Sequence, residues 1–404
     1  MSELSADCCI VGGGPAGMMA GYLLARAGVD VVVLEKHADF LRDFRGDTVH
    51  PSTLEVMDEL GLLDDFLKRP HQKLSRLSAE VGDRTVRVAD LTRLSIRARF
   101  VALMPQWDFL NFLSEKASAF STFRLVMQAD AAELLREGDR VTGVRAKTPD
   151  GELVVKAPLT IGADGRHSTV RDSAGFVVED IGAPMDVLWL RLPRRPEDDE
   201  APLGRAAAGG IFVMIPRGDY FQCGYVVSKG AADEIKGRGL EAFRRSVEAM
   251  APIMRGRTDA ITSLDDVKLL TVAVDRLKTW CAPGVLCIGD AAHAMSPVGG
   301  VGINLAVQDA VAAANLLHAP LQARSVSLGQ LQAVQRRREW PVKATQAAQV
   351  FIQKRVIAPT LAGATPKVPW PVLAVDRSPF LQGLIARLVG MGVRFEKVRS
   401  PAAP

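Results

Sequence analysis

Gly12-Gly13-Gly14-Pro15-Ala16-Gly17 follows a short apolar run, Asp7 to Val11, and opens the segment Pro15 to Ala27, which is patterned as a helix. Small residues mark the packing face of that segment, and Gly28 stands where a helix closes on a left-handed residue. Asp30 to Leu34 is then almost all valine, as expected of a strand covered on both faces. Strand, glycine turn, helix and strand in this order predict a parallel sheet. Gly12 permits the tight turn, Gly14 lets the backbone approach a pyrophosphate, and Gly17 lets the helix pack closely on the strand. The helix N-terminus that Pro15 and Ala16 open offers free N–H groups beyond the proline and a positive partial charge to a phosphate. Glu35, with Lys36 beside it, ends the second strand, where an acid accepts hydrogen bonds from ribose hydroxyls. The element predicts dinucleotide binding and does not choose between FAD and NAD.

Two further turns have the same build. Cys287-Ile288-Gly289-Asp290-Ala291-Ala292-His293 ends an apolar run in an acid, and Ser296 to Asn304 is a glycine-rich loop opening a helix near Gly302. Asp290 is placed to accept a hydrogen bond from a polyol, and the helix start aims positive charge at an anion; an Asp-capped loop is the plain alternative. Ile161-Gly162-Ala163-Asp164-Gly165-Arg166-His167-Ser168 again runs from strand to Asp-Gly to helix, with Asp164 or Ser168 as a simple cap in the plain reading.

Outward from these turns the chain changes character. Met185 to Leu192, Ile211 to Ile215 and Tyr220 to Val227 are strand-like, the last two joined by the turn Pro216-Arg217-Gly218-Asp219, and they predict an antiparallel meander. A strand-rich patch, 75–89, is expected to join it. Helical patterning returns from Gly302 to Leu317 and from Leu328 to Arg355. The proline-bearing tail is expected to be irregular with one closing helix, Phe380 to Leu388.

Composition sets limits. The 404 residues suit two packed domains, and 48% apolar with 24% charged residues is an ordinary globular balance. A net charge of +4 without a basic block gives no argument for nucleic acid. Five cysteines, Cys8, Cys9, Cys223, Cys281 and Cys287, form no CxxC pair and lie mostly in apolar runs, so inert reduced thiols are expected rather than zinc or disulfides. No metal site is visible. The N-terminus enters a strand at once without a secretion signal, and the uncharged stretch 291–308 is too rich in Gly and Pro for a membrane span. A cytoplasmic protein is expected.

The three turns, in this order and spacing, resemble the class A flavoprotein monooxygenases, the group typified by p-hydroxybenzoate hydroxylase, over about residues 5–350. The resemblance implies an α/β fold: a discontinuous Rossmann-like FAD-binding domain (1–74, 100–180 and 270–350), an inserted antiparallel-sheet substrate domain (75–99 and 181–269), and a C-terminal helix and irregular tail (351–404). It implies that Gly12, Gly14, Pro15, Ala16, Gly17, Glu35 and Lys36 hold the ADP part of FAD. Asp164 and Gly165 contact the pyrophosphate and serve NAD(P)H use, and Gly289 and Asp290 hold the ribityl chain. Pro297, Gly300, Gly302, Ile303 and Asn304 line the isoalloxazine ring. Phe44-Arg45-Gly46-Asp47 and Met104-Pro105-Gln106-Trp107 resemble flavin-contacting segments, giving Arg45 and Gln106; a surface arginine and a helix-start polar residue are the plain alternatives.

The activity implied is hydroxylation of an aromatic or polyketide-like small molecule with NAD(P)H and O2 through a flavin C4a-hydroperoxide. Arg45, His50 and Pro297 are the candidate catalytic residues, with His50 as the candidate base. Trp189, Arg191, Phe212, Met214, Gln222 and Tyr225 are the candidate substrate residues; the sequence does not decide which sheet face looks at the flavin. Ile211 to Ile215 carries no charge, unlike the arginine of the p-hydroxybenzoate enzyme, and this favours a larger neutral substrate. The rivals are a flavin reductase or dehydrogenase, a halogenase, and a non-catalytic FAD-binding protein. Phe212-Val213-Met214-Ile215-Pro216 lacks the tryptophans of the halogenase element. The oligomeric state stays open, a homodimer included.

Overall fold

Strand β1 (Cys8–Val11) is buried at every position, and helix α1 (Pro15–Arg26) and strand β2 (Val31–Glu35) follow it directly. These elements come from a computed structural model that describes residues 2–41, 48–198, 203–366 and 368–403. β3 (Phe123–Met127) adds beyond β2, and β4 (Leu159–Gly162) adds on the other side of β1. The resulting six-stranded sheet runs Cys281–Ala282, Val285–Cys287, β4, β1, β2, β3, and all its pairs are parallel except the first. Register makes Val11 pair with both Gly162 and Leu34, and Gly162 with Cys287. The carboxyl ends of four strands therefore finish at one level, where open α/β sheets bind ligands. Every residue of β1, β2 and β4 is buried, which is why these stretches read as continuous apolar runs rather than alternating ones.

The second sheet has seven strands. β5 (Met185–Pro193), β6 (Gly210–Arg217) and β7 (Tyr220–Ser228) pair antiparallel, and Arg76–Val81 and Arg84–Asp90 join through Gly204–Ala207. The pairing of Gly204–Ala207 with Arg76–Val81 is parallel, so the sheet is not wholly antiparallel as the sequence reading had it. Side chains alternate between faces. Leu188, Leu190, Phe212, Met214, Cys223 and Tyr225 lie under helix α2 (Leu240–Met250), where the Phe212, Tyr225 and Phe243 rings follow one another at 6.1 and 6.3 Å. Val187, Trp189, Val213, Ile215 and Val226 look the other way.

Helix α3 (Gly302–Gln322) packs against α1, and α4 (Leu328–Ile352) packs against α3. α3 is the one helix among the described residues that has the length and hydropathy of a membrane span, but it is mostly buried in the core. The tail departs from expectation. A five-residue π-helix (Gln353–Ile357) extends α4, and Trp370–Arg377 is helical before the closing helix α5 (Pro379–Met391). Pro359, Pro371 and Pro379 sit in the first turns of helices, where a missing N–H costs nothing, while Pro366 lies in irregular chain. All five cysteines are buried and free.

Phe243 is 1% exposed and closes the aromatic layer under the second sheet. Phe243→Ala is expected to cost about 3–5 kcal/mol in urea unfolding; a loss below about 1 kcal/mol would contradict this packing.

Candidate functional site

Three turns at the strand ends touch one another. Gly12 has φ +105°, and a Cβ there would lie 2.4 Å from the carbonyl oxygen of Ala163. A Cβ on Gly17 would lie 1.9 Å from the Gly12 oxygen, and one on Gly289 would meet Ala16 Cβ at 3.0 Å and Ala306 Cβ at 3.4 Å. Only glycine allows this convergence. Beside Gly14, in contrast, the space for a Cβ is open. α1 starts at Gly14 and α3 at Val301 with no side-chain cap and no acid in the first turn, so both present free N–H groups. Gly13 N donates to Glu35 Oε2 at 3.0 Å, and His37 lies against Oε1 of the same carboxylate. Asp290 faces Arg166 across the turns at 3.7 Å.

The Gly289–Asn304 segment is held from behind by buried polar groups that sequence reasoning missed. Asp309 is fully buried and accepts from Gly289 N (3.1 Å), His293 Nε2 (2.6 Å) and Arg338 Nε (2.8 Å). Burial alone would raise its carboxyl, but the His293 and Arg338 charges outweigh it and hold the group below the usual range. One stripe of α4 and its π extension adds three glutamines. Gln346 Nε2 donates to Ala294 O, Gln349 Nε2 to Ser296 O and Val298 O, and Gln353 Nε2 to the Ser296 hydroxyl. The helical pattern was legible in sequence. That its inward stripe would be polar was a signal too, since glutamines three and four apart share a face.

From the front, Thr48–Val49 and Pro51–Glu59 clasp the same loop. Thr48 Oγ1 donates to Gly300 O at 2.9 Å, while His50 N and Thr53 Oγ1 both donate to Asn304 Oδ1. His50 is 2% exposed, and its Nδ1 lies 2.9 Å from the Val389 carbonyl oxygen on α5. Burial lowers it to about 4, against the carbonyls of Val389 and Gly299, which pull it upward. His50 thus fixes the loop, through its backbone N–H to Asn304 and its ring to Val389.

The other sequence candidates fall as follows. Pro297 caps the turn Val298–Gly300, with Gly300 N donating to its carbonyl. Ile303 and Asn304 are buried in the first turn of α3, which Gly302 starts. Gln106 begins the helix Gln106–Ala117. Lys36 is exposed. Arg45 lies outside the described residues. Asp164 turns inward, and its carboxylate accepts from Ser168 Oγ and Val170 N, capping Thr169–Ser173. Burial raises it despite those bonds, Ser168 is the N-cap of that short helix, and Gly165 (φ +84°) provides the turn.

On the second sheet, alternation separates the substrate candidates. Phe212, Met214 and Tyr225 belong to the layer under α2, on the far face from Trp189, and this corrects their assignment. Trp189 and Val298 both pack against the cluster of Met185, Val187, Val226, Val272 and Ile357, so the Pro297–Asn304 loop meets the same apolar cluster as the Trp189 face. Gln222 shares that face, while Arg191 is exposed over the Tyr220 ring at 5.4 Å. Arg217, two residues past Ile215, is buried, and its charge is felt by Asp108, whose carboxyl burial raises. Among the described residues no group of His, Cys, Asp or Glu gathers as a metal site. Two uncapped helix starts, an open space at Gly14 and the Glu35 and Asp290 carboxylates fit an elongated, twice-phosphorylated group with sugar hydroxyls.

Comparison with known proteins agrees with that fit. A family model described as an FAD binding domain matches residues 5–348. The chain is 32% identical to 6-methylpretetramide 4-monooxygenase of Streptomyces rimosus over 98% of its own length and 94% of that enzyme's. It is 29% identical to rifampicin monooxygenase of Streptomyces venezuelae over 75% of its length, and spans 62% of that enzyme. The crystal structure of PqsL of Pseudomonas aeruginosa superposes with a TM-score of 0.72 at 25% identity, covering 89% of this chain and 99% of PqsL.

Two outcomes are expected. Arg338→Met leaves Asp309 buried with one cation fewer, and should cost about 3–5 kcal/mol in chemical unfolding at pH 7. His50 binds its proton less readily folded than unfolded, where it sits near 6.5. Its contribution is therefore complete above pH 6.5 and is lost as pH falls to about 4. The loss is about 3 kcal/mol from the roughly 2.5-unit difference, and in His50→Gln the slope of stability over that window should flatten; an unchanged slope would contradict it.

Proposed function

The chain belongs to the FAD-binding-domain family matched over residues 5–348, and we propose that within it this protein hydroxylates a neutral, polycyclic aromatic substrate on the Trp189 face of the second sheet. It is an FAD-dependent monooxygenase, an oxidoreductase that uses NAD(P)H and O2. Bound FAD supplies the chemistry, taking a hydride from NAD(P)H and passing one oxygen atom of O2 to an electron-rich carbon.

The observation that carries the substrate reading is the meeting of two surfaces at Val298. One is the polar floor of converging turns. Gly12, Gly14 and the start of α1 would hold the pyrophosphate, Glu35 the adenosine ribose, and Asp290 the ribityl chain. The other is the apolar wall of Val187, Trp189, Ile211, Val213 and Val226. The Pro297–Asn304 loop, fixed from both sides, would present the ring system to that wall and keep bulk water out. Val298 itself packs into the wall, so a planar substrate there would lie within reach of the ring.

Arg217, a buried cation on this face, acts on the Asp108 carboxyl, which supports a substrate without a carboxylate. The 6-methylpretetramide enzyme aligned over nearly the whole chain supports a polyketide-derived ring system. Residues 75–99 and 181–269 would form the substrate-binding part, and the remainder up to 350 the FAD-binding part.

The test uses the yellow holoenzyme. Substrate-stimulated NAD(P)H oxidation with matching O2 uptake is expected from polycyclic phenols; NAD(P)H consumption without O2 demand would make the protein a reductase instead. Asp290→Ala should weaken FAD retention roughly ten- to a hundredfold, the scale of a charged hydrogen bond at about 1.5–3 kcal/mol. Flavin content unchanged after gel filtration would count against the role given to Asp290.

A further inference from the structure

On the wall that carries Trp189, two neutral side chains among the described residues each hold a buried hydrogen-bond donor with no partner. Trp189 Nε1 and Gln222 Nε2 are shut off from solvent, and neither has a hydrogen-bond partner. Gln222 is 6% exposed. Buried donors are rarely left so, because each unmade bond costs about 1–3 kcal/mol.

Strand register places the pair. Arg191 stands opposite Gln222, and Trp189 opposite Gly224, so the two donors lie on one face a single diagonal apart. Gly224 makes room for the indole, since a Cβ there would meet Trp189 Cζ3 at 3.3 Å. On the next strand Gly224 faces Val213 and Gln222 faces Ile215, and neither side chain has an acceptor atom. Arg191 carries donors only, so the neighbours along the sheet offer no side-chain acceptor and the missing acceptors have to come from above it.

We propose that Trp189 and Gln222 together read oxygen atoms on one edge of the substrate, so that the preferred substrate is an uncharged aromatic bearing carbonyl or hydroxyl oxygens. The proposal rests on the reading of this face as the substrate wall. It makes Trp189 and Gln222 specificity residues: an unoxygenated ring of the same size fills the same space but leaves both donors unmade.

The experiment titrates oxidised holoenzyme, without NAD(P)H, with 1,8-dihydroxyanthraquinone and with anthracene, reading the perturbation of the flavin absorption spectrum. Trp189→Phe keeps an aromatic ring and removes the N–H, and Gln222→Met keeps the length and removes the amide. The wild type should bind the oxygenated probe more tightly than the bare ring. Each variant should shrink that preference by roughly five- to thirtyfold, with anthracene affinity moving less than about twofold. If one variant loses its flavin, the other decides. A preference unchanged in the variants would mean that water satisfies these donors, and it overturns the proposal while leaving the substrate wall standing. Failure of the wild type to bind either probe removes the wall reading, and the proposal with it.

Discussion

The carboxylate of Asp309 is the interaction that the cofactor side of the molecule depends on. A charge with no exposure to water is tolerated only when partners surround it. Its partners come from three places: Gly289 in the turn, His293 four residues on, and Arg338 on α4. Arg338 also reaches the Arg394 carbonyl and lies near Glu396, so the tail is drawn into the same cluster. One buried charge thus fixes the backbone of the Gly-Asp turn, the long helix behind it and the end of the chain together. The glutamine stripe continues this support along the loop, so the segment is held through its backbone carbonyls rather than by its own short, glycine-rich sequence.

The two sheets divide the chemistry. Parallel strands ending at one level produce a floor rich in backbone N–H groups, suited to phosphates. An alternating sheet produces a face whose composition is set residue by residue, suited to choosing a substrate. The loop from Pro297 to Asn304 belongs to the first by sequence and touches the second through Val298. Oxygen transfer needs these two environments side by side, because a water-filled gap between them would release hydrogen peroxide instead.

Much of this was readable from residues alone. The glycines at 12, 17 and 289 announced close approaches that the structure contains, since no other residue type tolerates those positions. The meander was readable from its period of two and its turn at Pro216 to Asp219. Which of its faces meets the loop was not, because both faces are apolar and one-residue alternation is blind to what lies above it. That is why Phe212, Met214 and Tyr225 were grouped with Trp189. The surroundings of His50 were hidden for a related reason: its position near the loop was visible, but the carbonyls of Val389 and Gly299 that its ring meets come from distant sequence. Asp309 and Arg338 gave no local signal, since 29 residues separate them.

The buried thiols described with the fold bear on how such a catalyst survives its own leakage. An oxygen-activating flavoprotein that misfires bathes itself in peroxide, and peroxide attacks the thiolate form of cysteine. Burial pushes Cys9 up to about 12 and drives Cys8, Cys223 and Cys287 upward as well. At neutral pH almost none of that sulfur is ionised, so these groups offer the oxidant little to react with, even at Cys287, at the edge of the cofactor turn.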